Sequence, residues 1–280
     1  MIRLLLIACL LFSLSSPHAQ AKRLEVMSFN IRCGSCEKPD DVNHWSRRQY
    51  LVAELIKRQR PDLIGLQEAE LFQVRDLVAL LGDYDWIGVG RDDGKEKGEA
   101  NAVLFRKKRF KLLSQDTIWL SSTPTQVGKG WDAALNRTAS IIRLKDRKGA
   151  REFFLLNTHF DHLGQQARME SSRLIVDLAR SRAGALPVIV TGDFNYTRNS
   201  PGYAIVAGGL RDAEQASVSP AQGGDVSFNG FGNSIEPGNK IDFILVNDGF
   251  EVLSHRIVTD LYQGRYPSDH YPVQAELRIK

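Results

Sequence analysis

Arg23-Leu24-Glu25-Val26-Met27-Ser28-Phe29-Asn30-Ile31 alternates at its start and turns mostly apolar toward its end, the pattern of a strand entering a core. Ser46 to Arg60 follows with Val52, Leu55 and Ile56 on one helical face, and Pro61 stops it. Asp62 to Gln67 then reads as a short buried strand. Leu71, Val74, Leu77, Val78 and Leu81 stripe a second helix, which Gly82 ends. From Tyr84 the alternation of strand and helix gives way to consecutive strand candidates at Trp86 to Val89, Ala102 to Arg106, Thr117 to Leu120, Thr138 to Leu144 and Glu152 to Thr158. Gln165 to Arg182 returns to helix, with Ala167, Ser171, Leu174, Ile175 and Leu178 at helical spacing. Strands follow at Pro187 to Thr191, Ile241 to Asn247, Glu251 to Val258 and Tyr271 to Ile279. The expected fold is an α/β sandwich, two packed mixed β-sheets flanked by helices.

The ends of the chain set the context. Met1-Ile2-Arg3, the apolar run Leu4 to Phe12 and the small-residue close Ala19-Gln20-Ala21 have the form of a secretory leader spanning 1–21, leaving one domain over 22–280. A membrane anchor needs roughly 18 apolar residues, and Ser13, Ser15, Ser16, Pro17 and His18 interrupt sooner. Leu6-Ile7-Ala8-Cys9 loosely resembles a lipoprotein cleavage box, but the apolar run continues past Cys9. The expectation is a periplasmic or secreted monomer with no stable membrane anchor. Losing Arg3 lowers the formal charge from +4 to +3. So balanced a chain lacks the field that marks a dedicated polyanion binder. Cys33 and Cys36 form a C-x-x-C pair without the further soft ligands of a zinc site, so a structural disulfide or an incidental pair are the readings.

Polar residues cluster at the ends of the expected strands: Asn30, Glu68, His159, Asp193, Asn195, Asp269 and His270. Each alone is an ordinary turn former or cap. Together they supply hard oxygen donors, amides and two imidazoles, the inventory for phosphoester hydrolysis. That reaction needs phosphoryl charge neutralised and a water deprotonated in line with the leaving oxygen. Carboxylates and amide oxygens suit Mg²⁺ or Mn²⁺. No G-x-S-x-G elbow and no H-E-x-x-H helix is present, which argues against a serine hydrolase and a zinc protease. The run Lys107, Lys108, Arg109, Lys111 reads as a solvated hairpin.

Met27-Ser28-Phe29-Asn30-Ile31-Arg32, Gly65-Leu66-Gln67-Glu68, Asn157-Thr158-His159-Phe160-Asp161-His162, Thr191-Gly192-Asp193-Phe194-Asn195, Ile241-Asp242-Phe243-Ile244 and Ser268-Asp269-His270-Tyr271-Pro272 together resemble the ordered signature of the endonuclease/exonuclease/phosphatase superfamily. Gly88 to Gly94, Trp119-Leu120-Ser121, Trp131-Asp132-Ala133-Ala134 and Arg137 resemble a bacterial branch related to its deadenylase-like members. The resemblance implies a four-layer, DNase I-like sandwich and a Mg²⁺- or Mn²⁺-dependent hydrolase. By its pattern Glu68 and Asp269 are metal ligands and Asn30 supports the metal. Asp193 is the base for the attacking water, held by Asn195. His159 and His270 brace the phosphate, and Asp242 orients His270.

Other residues have two readings each. Arg137 and Arg168 can meet a second phosphate or sit in surface ion pairs, and Trp131 and Phe231 can stack on a base or sugar or complete the core. Glu99 and Asn101 can reach the site or cap a loop. The expected partner is a phosphorylated substrate. Nucleic acid and nucleotides are one class, sugar phosphates and phospholipid head groups another. A binding module that has lost its chemistry is the alternative from a different class, and it would show substitution at Glu68, Asp193, Asn195 or His270.

Overall fold

The computed structural model describes residues 23–280, so the leader expected over 1–21 lies outside the described residues. Two six-stranded sheets face each other. The first runs β11-β12-β1-β2-β4-β3 and the second β5-β6-β7-β8-β10-β9, where β1 is Arg23–Asn30, β2 Leu63–Gln67, β3 Tyr84–Ile87, β4 Val103–Arg106, β5 Phe110–Trp119, β6 Thr138–Asp146, β7 Glu152–His159, β8 Val188–Asp193, β9 Arg211–Asp212, β10 Asp242–Val246, β11 Phe250–Ile257 and β12 Val273–Ile279. Each sheet is built round one parallel pair, β1 with β2 and β7 with β8. A parallel pair needs a crossover, and helices supply it: α1 (Trp45–Gln59) joins β1 to β2, and α3 (Gln165–Ala183) joins β7 to β8. The other helices are α2 (Leu71–Leu81) and α4 (Pro201–Ala207).

Three apolar layers follow from strand alternation. Leu24 and Val26 of β1 face Phe153, Leu155 and Ile244 between the sheets. Met27 and Phe29 point the other way, under Leu51, Val52, Leu55 and Val74 of α1 and α2. Leu156, Val190 and Phe243 meet Ile175, Val176 and Tyr203 of α3 and α4 on the far side. The four-layer sandwich is the expected fold.

Several boundaries differ from the sequence reading. Strand β5 starts at Phe110, because its middle is solvent-facing and polar and carries no apolar alternation. Helix α4 and strand β9 fall where no element was expected; α4 is short, with Ser200 capping Tyr203 N and Pro201 in its first turn. The basic run is only partly solvated, since Arg109 is buried and pairs with Asp62 at 2.6 Å and Asp146 at 2.8 Å. Cys33 and Cys36 are joined by a disulfide. Among the described residues no helix is long and apolar enough to cross a membrane.

Toward the strand ends that carry the polar motifs, the space between the sheets becomes polar. Asn157 on β7 donates Nδ2 to the carbonyls of Leu66, 2.7 Å, and Ala102, 3.0 Å. Its Oδ1 accepts from Gln67 at 2.7 Å and Thr191 at 3.0 Å. So close an approach requires Gly65 on β2, where a Cβ would overlap Thr191 Oγ1 and lie 2.5 Å from Asn157 Oδ1. Gly65→Ala should therefore destabilise the fold by about 2 kcal/mol, a fall in Tm of roughly 5 °C. Gly128→Ala, whose Cβ meets nothing within 4 Å, is the control and should leave Tm unchanged. Equal melting of the two variants in thermal denaturation would count against this packing argument.

Candidate active site

Strand β1 ends at Asn30 and β2 one residue before Glu68 on one sheet, and β7 and β8 end at His159 and Asp193 on the other. Chain reversal begins at once. Glu68 has φ 58° and Asn195 φ 51°, left-handed values that cost a side-chain-bearing residue on the order of 1–3 kcal/mol when imposed by the surroundings. Both residues are thereby turned over the strand ends.

Asp193 Oδ2 is the meeting point. Asn30 Nδ2 donates to it at 3.0 Å, His159 Nε2 stands 3.6 Å away and His270 Nε2 3.8 Å. Its other oxygen accepts from Asn195 N at 2.9 Å. Asn30 Nδ2 also donates to Glu68 Oε1 at 3.0 Å, so one amide links the carboxylates of both sheets. Cys33 N donates to Glu68 Oε2 at 3.3 Å. Asp242 accepts from His270 Nδ1 at 2.8 Å, and the Phe228 ring lies edge-on to the imidazole, 5.0 Å between centroids. A cavity of about 570 Å³ opens over these groups, walled by Glu68, Glu99, Asp193, Asn195, Asp269, Arg137 and both histidines.

Proton affinities are shifted by this packing. Burial and the nearby Asp242 charge push the Asp193 carboxyl up to about 7. Burial and Glu68 do the same to Glu99, also to about 7. Burial alone would lower His270, but Asp242 at its Nδ1 and Asp193 beyond overcome it and raise it to about 10. His159 goes the opposite way, held well below the ordinary histidine range by burial and the Arg137 charge. The site therefore pairs a cationic imidazole with a neutral one, on either side of a carboxylate poised near neutrality.

The donors suit a hard divalent cation, because Glu68, Asp193 and Asp269 bring anionic oxygens to one wall. Ligand atoms of Glu68, His159 and Asp193 lie within 4.8 Å of one another. Asp269 is already met by Arg32 Nη1 at 2.9 Å, and Asn30 turns its oxygen to Arg32 N, so its amide organises the carboxylates as placed.

Most of the sequence-derived set is gathered here: Asn30, Glu68, His159, Asp193, Asn195, Asp242, Asp269 and His270. Arg137 reaches the cavity too, although its guanidinium is spent on protein groups. Arg168 and Trp131 do not line it. Arg168 donates to the Asp161 carbonyl at 3.0 Å, and Trp131 stands 37 % exposed outside the walls. Phe231 stacks on the Arg32 guanidinium, 5.3 Å to its centroid. Asn101 donates to Thr138 and ties the sheets together, whereas Glu99 does face the cavity. Arg32, His162, Phe228, Asn239 and Ile241 had been given no individual role. Arg32, His162 and Ile241 were within reach of the sequence, since each sits inside one of its motifs.

The model of the endonuclease/exonuclease/phosphatase family matches residues 27–270. An endonuclease/exonuclease/phosphatase from Bacteroides vulgatus is 37 % identical, with a TM-score of 0.87 over 92 % of this chain and 99 % of that one. A mannosyl-6-phosphatase from Bacteroides thetaiotaomicron is 35 % identical, with a TM-score of 0.84 over 91 % and 99 % of the two chains. Nocturnin of Drosophila melanogaster is 27 % identical over 190 residues, which is 64 % of this chain but 27 % of that protein's length.

A pH dependence of stability follows from His270. Its folded value lies above the unfolded one, so its contribution is fully present below about pH 6.5 and is lost as pH rises through about 10. Asp242→Asn should flatten that decline in chemical denaturation across the window. A decline as steep as in the unsubstituted protein would remove the pair from the account.

Proposed function

Because the chain belongs to the endonuclease/exonuclease/phosphatase family, a family of phosphoester hydrolases, we propose that it hydrolyses a small phosphomonoester, a sugar phosphate, using Mg²⁺ or Mn²⁺. The observation that carries the substrate class is the charge of the cavity wall. Glu68, Glu99, Asp193 and Asp269 line it, and the one arginine that lines it among the described residues, Arg137, is occupied by two histidines. Polynucleotides are held by Lys and Arg contacts to successive phosphates, and among the described residues this wall offers no Lys and no unoccupied Arg to a second phosphate. A compact, neutral, hydroxyl-bearing leaving group fits it. The similarity to a mannosyl-6-phosphatase along nearly the whole chain supports the same class.

Glu68 and Asp269 would hold the metal, with Asn30 fixing Glu68. When bound, the ion supplies positive charge to the phosphoryl oxygens and the leaving oxygen. The remaining work belongs to the side chains. Asp193, raised toward neutrality, takes the proton of the attacking water. Asn195 and Asn30 hold that carboxylate through its two oxygens. His270, kept cationic by Asp242, directs Nε2–H at the negative charge that grows on the phosphoryl oxygens. His159 faces the same space from the other sheet. Export, inferred from the leader-like start, completes the proposal.

Purified protein should turn over mannose 6-phosphate with Mn²⁺, lose that activity in EDTA and regain it on metal addition. Asp193→Asn should lower kcat by roughly a thousandfold. Full turnover in chelator would exclude the metal, and a higher kcat/KM on single-stranded RNA than on the sugar phosphate would overturn the substrate class.

A further inference from the structure

Arg137 lies immediately before β6, buried, with Asp161 behind it at 3.5 Å from Nε. Asp161 is itself anchored by the backbone N–H groups of Leu163 and Gly164, at 3.0 and 2.8 Å. From that base the guanidinium sends Nη1 to His159 Nδ1 at 3.0 Å and Nη2 to His162 Nδ1 at 3.1 Å. A guanidinium has only donors. Each Nδ1 it meets must therefore carry a lone pair, and a neutral imidazole with a bare Nδ1 carries its hydrogen on Nε2.

We propose that Arg137 is a positioning residue that locks His159 as the neutral Nε2–H tautomer, so that the ring presents a fixed, uncharged donor to a phosphoryl oxygen. This rests on the phosphohydrolase reading of the site. Each neutral tautomer sets one ring N–H against a donor, Nε2–H against Asn195 Nδ2 or Nδ1–H against Arg137 Nη1, each at 3.0 Å, and the strength of the two bonds decides between them. Asn195 Nδ2 stands 3.0 Å from His159 Nε2, so two donors approach a ring that, when neutral, has one lone pair. The charged donor makes the stronger bond, and Asn195 keeps its own partner, the Phe160 carbonyl at 3.0 Å. A hydrogen on Nδ1 would need an acceptor on that side. Glu99 is the carboxylate there, but it is 3.9 Å away and already paired with Arg91 at 2.5 Å. An imidazolium would set N–H against N–H at Arg137.

The groups facing the ring are Arg137 and His162, Arg91 and Glu99 from the 88–102 loop, Glu68 from the end of β2, Asp193 from β8 and His270 from the segment before β12. Burial and the neighbouring cations keep the ring neutral among them, which agrees with the tautomer but does not define it. The guanidinium does that. The same fork sets His162, half-exposed at the cavity mouth, in the matching form.

Two-bond ¹⁵N–¹H correlation of the imidazoles in uniformly ¹⁵N-labelled protein reads the tautomer without substrate or metal, with His159 assigned by its loss in His159→Gln. The expected pattern is a protonated Nε2 and a bare Nδ1. Arg137→Met should abolish that pattern and lower kcat by about a hundredfold while leaving KM within about threefold, and Arg137→Lys should recover part of both. A protonated Nδ1 in the unsubstituted protein overturns the proposal, and that measurement stands even if Arg137→Met fails to fold. So does a folded Arg137→Met that keeps the Nε2–H pattern, or one that raises KM with kcat intact, as a direct substrate contact would. The expected pattern in a protein inactive on every phosphoester supports the ring assignment and refutes the hydrolase reading instead.

Discussion

Asn157 spans the gap between the two sheets, and the active-site geometry depends on that span. From β7 it donates to the carbonyl of Leu66 on β2 and to that of Ala102, just before β4, while accepting from Gln67 and Thr191. Apolar packing between sheets is nondirectional and tolerates sliding, whereas a buried amide with every hydrogen bond made does not. This amide sets how far, and in what register, the ends of β1 and β2 stand from those of β7 and β8. Asn30 then repeats the linkage one layer higher, joining Glu68 of one sheet to Asp193 of the other.

On that frame the site separates the charge states of chemically similar groups. Two imidazoles flank one carboxylate at 3.6 and 3.8 Å. Asp242 behind one makes it a cation, while burial and then the Arg137 charge behind the other keep it neutral. The partner on the remote nitrogen decides each ring's role, which is why residues that never touch substrate bear on the chemistry. The backbone shares in this placement, with Arg32, Glu68 and Asn195 all held at positive φ where the strands end.

The places where sequence reading fell short have a common cause. Arg137 and Arg168 are alike as letters, and both carry the same two readings, a second phosphate or a surface ion pair. Only folding puts Arg137 between two histidines and turns Arg168 onto a carbonyl. Arg109 read as part of a solvated basic run, yet two aspartates distant in sequence bury it. The first half of strand β5 escaped the sequence reading because its middle is polar and exposed. Burial and pairing of long charged side chains are properties of neighbours that periodicity does not encode.

The sequence by itself determined the layered α/β sandwich, through the switch from helix-linked strands to meanders, and located most of the polar residues of the candidate site at strand ends through the order and complementarity of its motifs. Those signals are local and repeat along the chain, so one dimension suffices to read them. The tertiary structure alone decided which carboxylates sit near neutrality, which histidine is charged, that Trp131 lies outside the cavity and that Arg137 in the cavity wall is already occupied. Each of these turns on separations of a few ångströms between residues tens to hundreds of positions apart, where burial strengthens every charge and hydrogen bond.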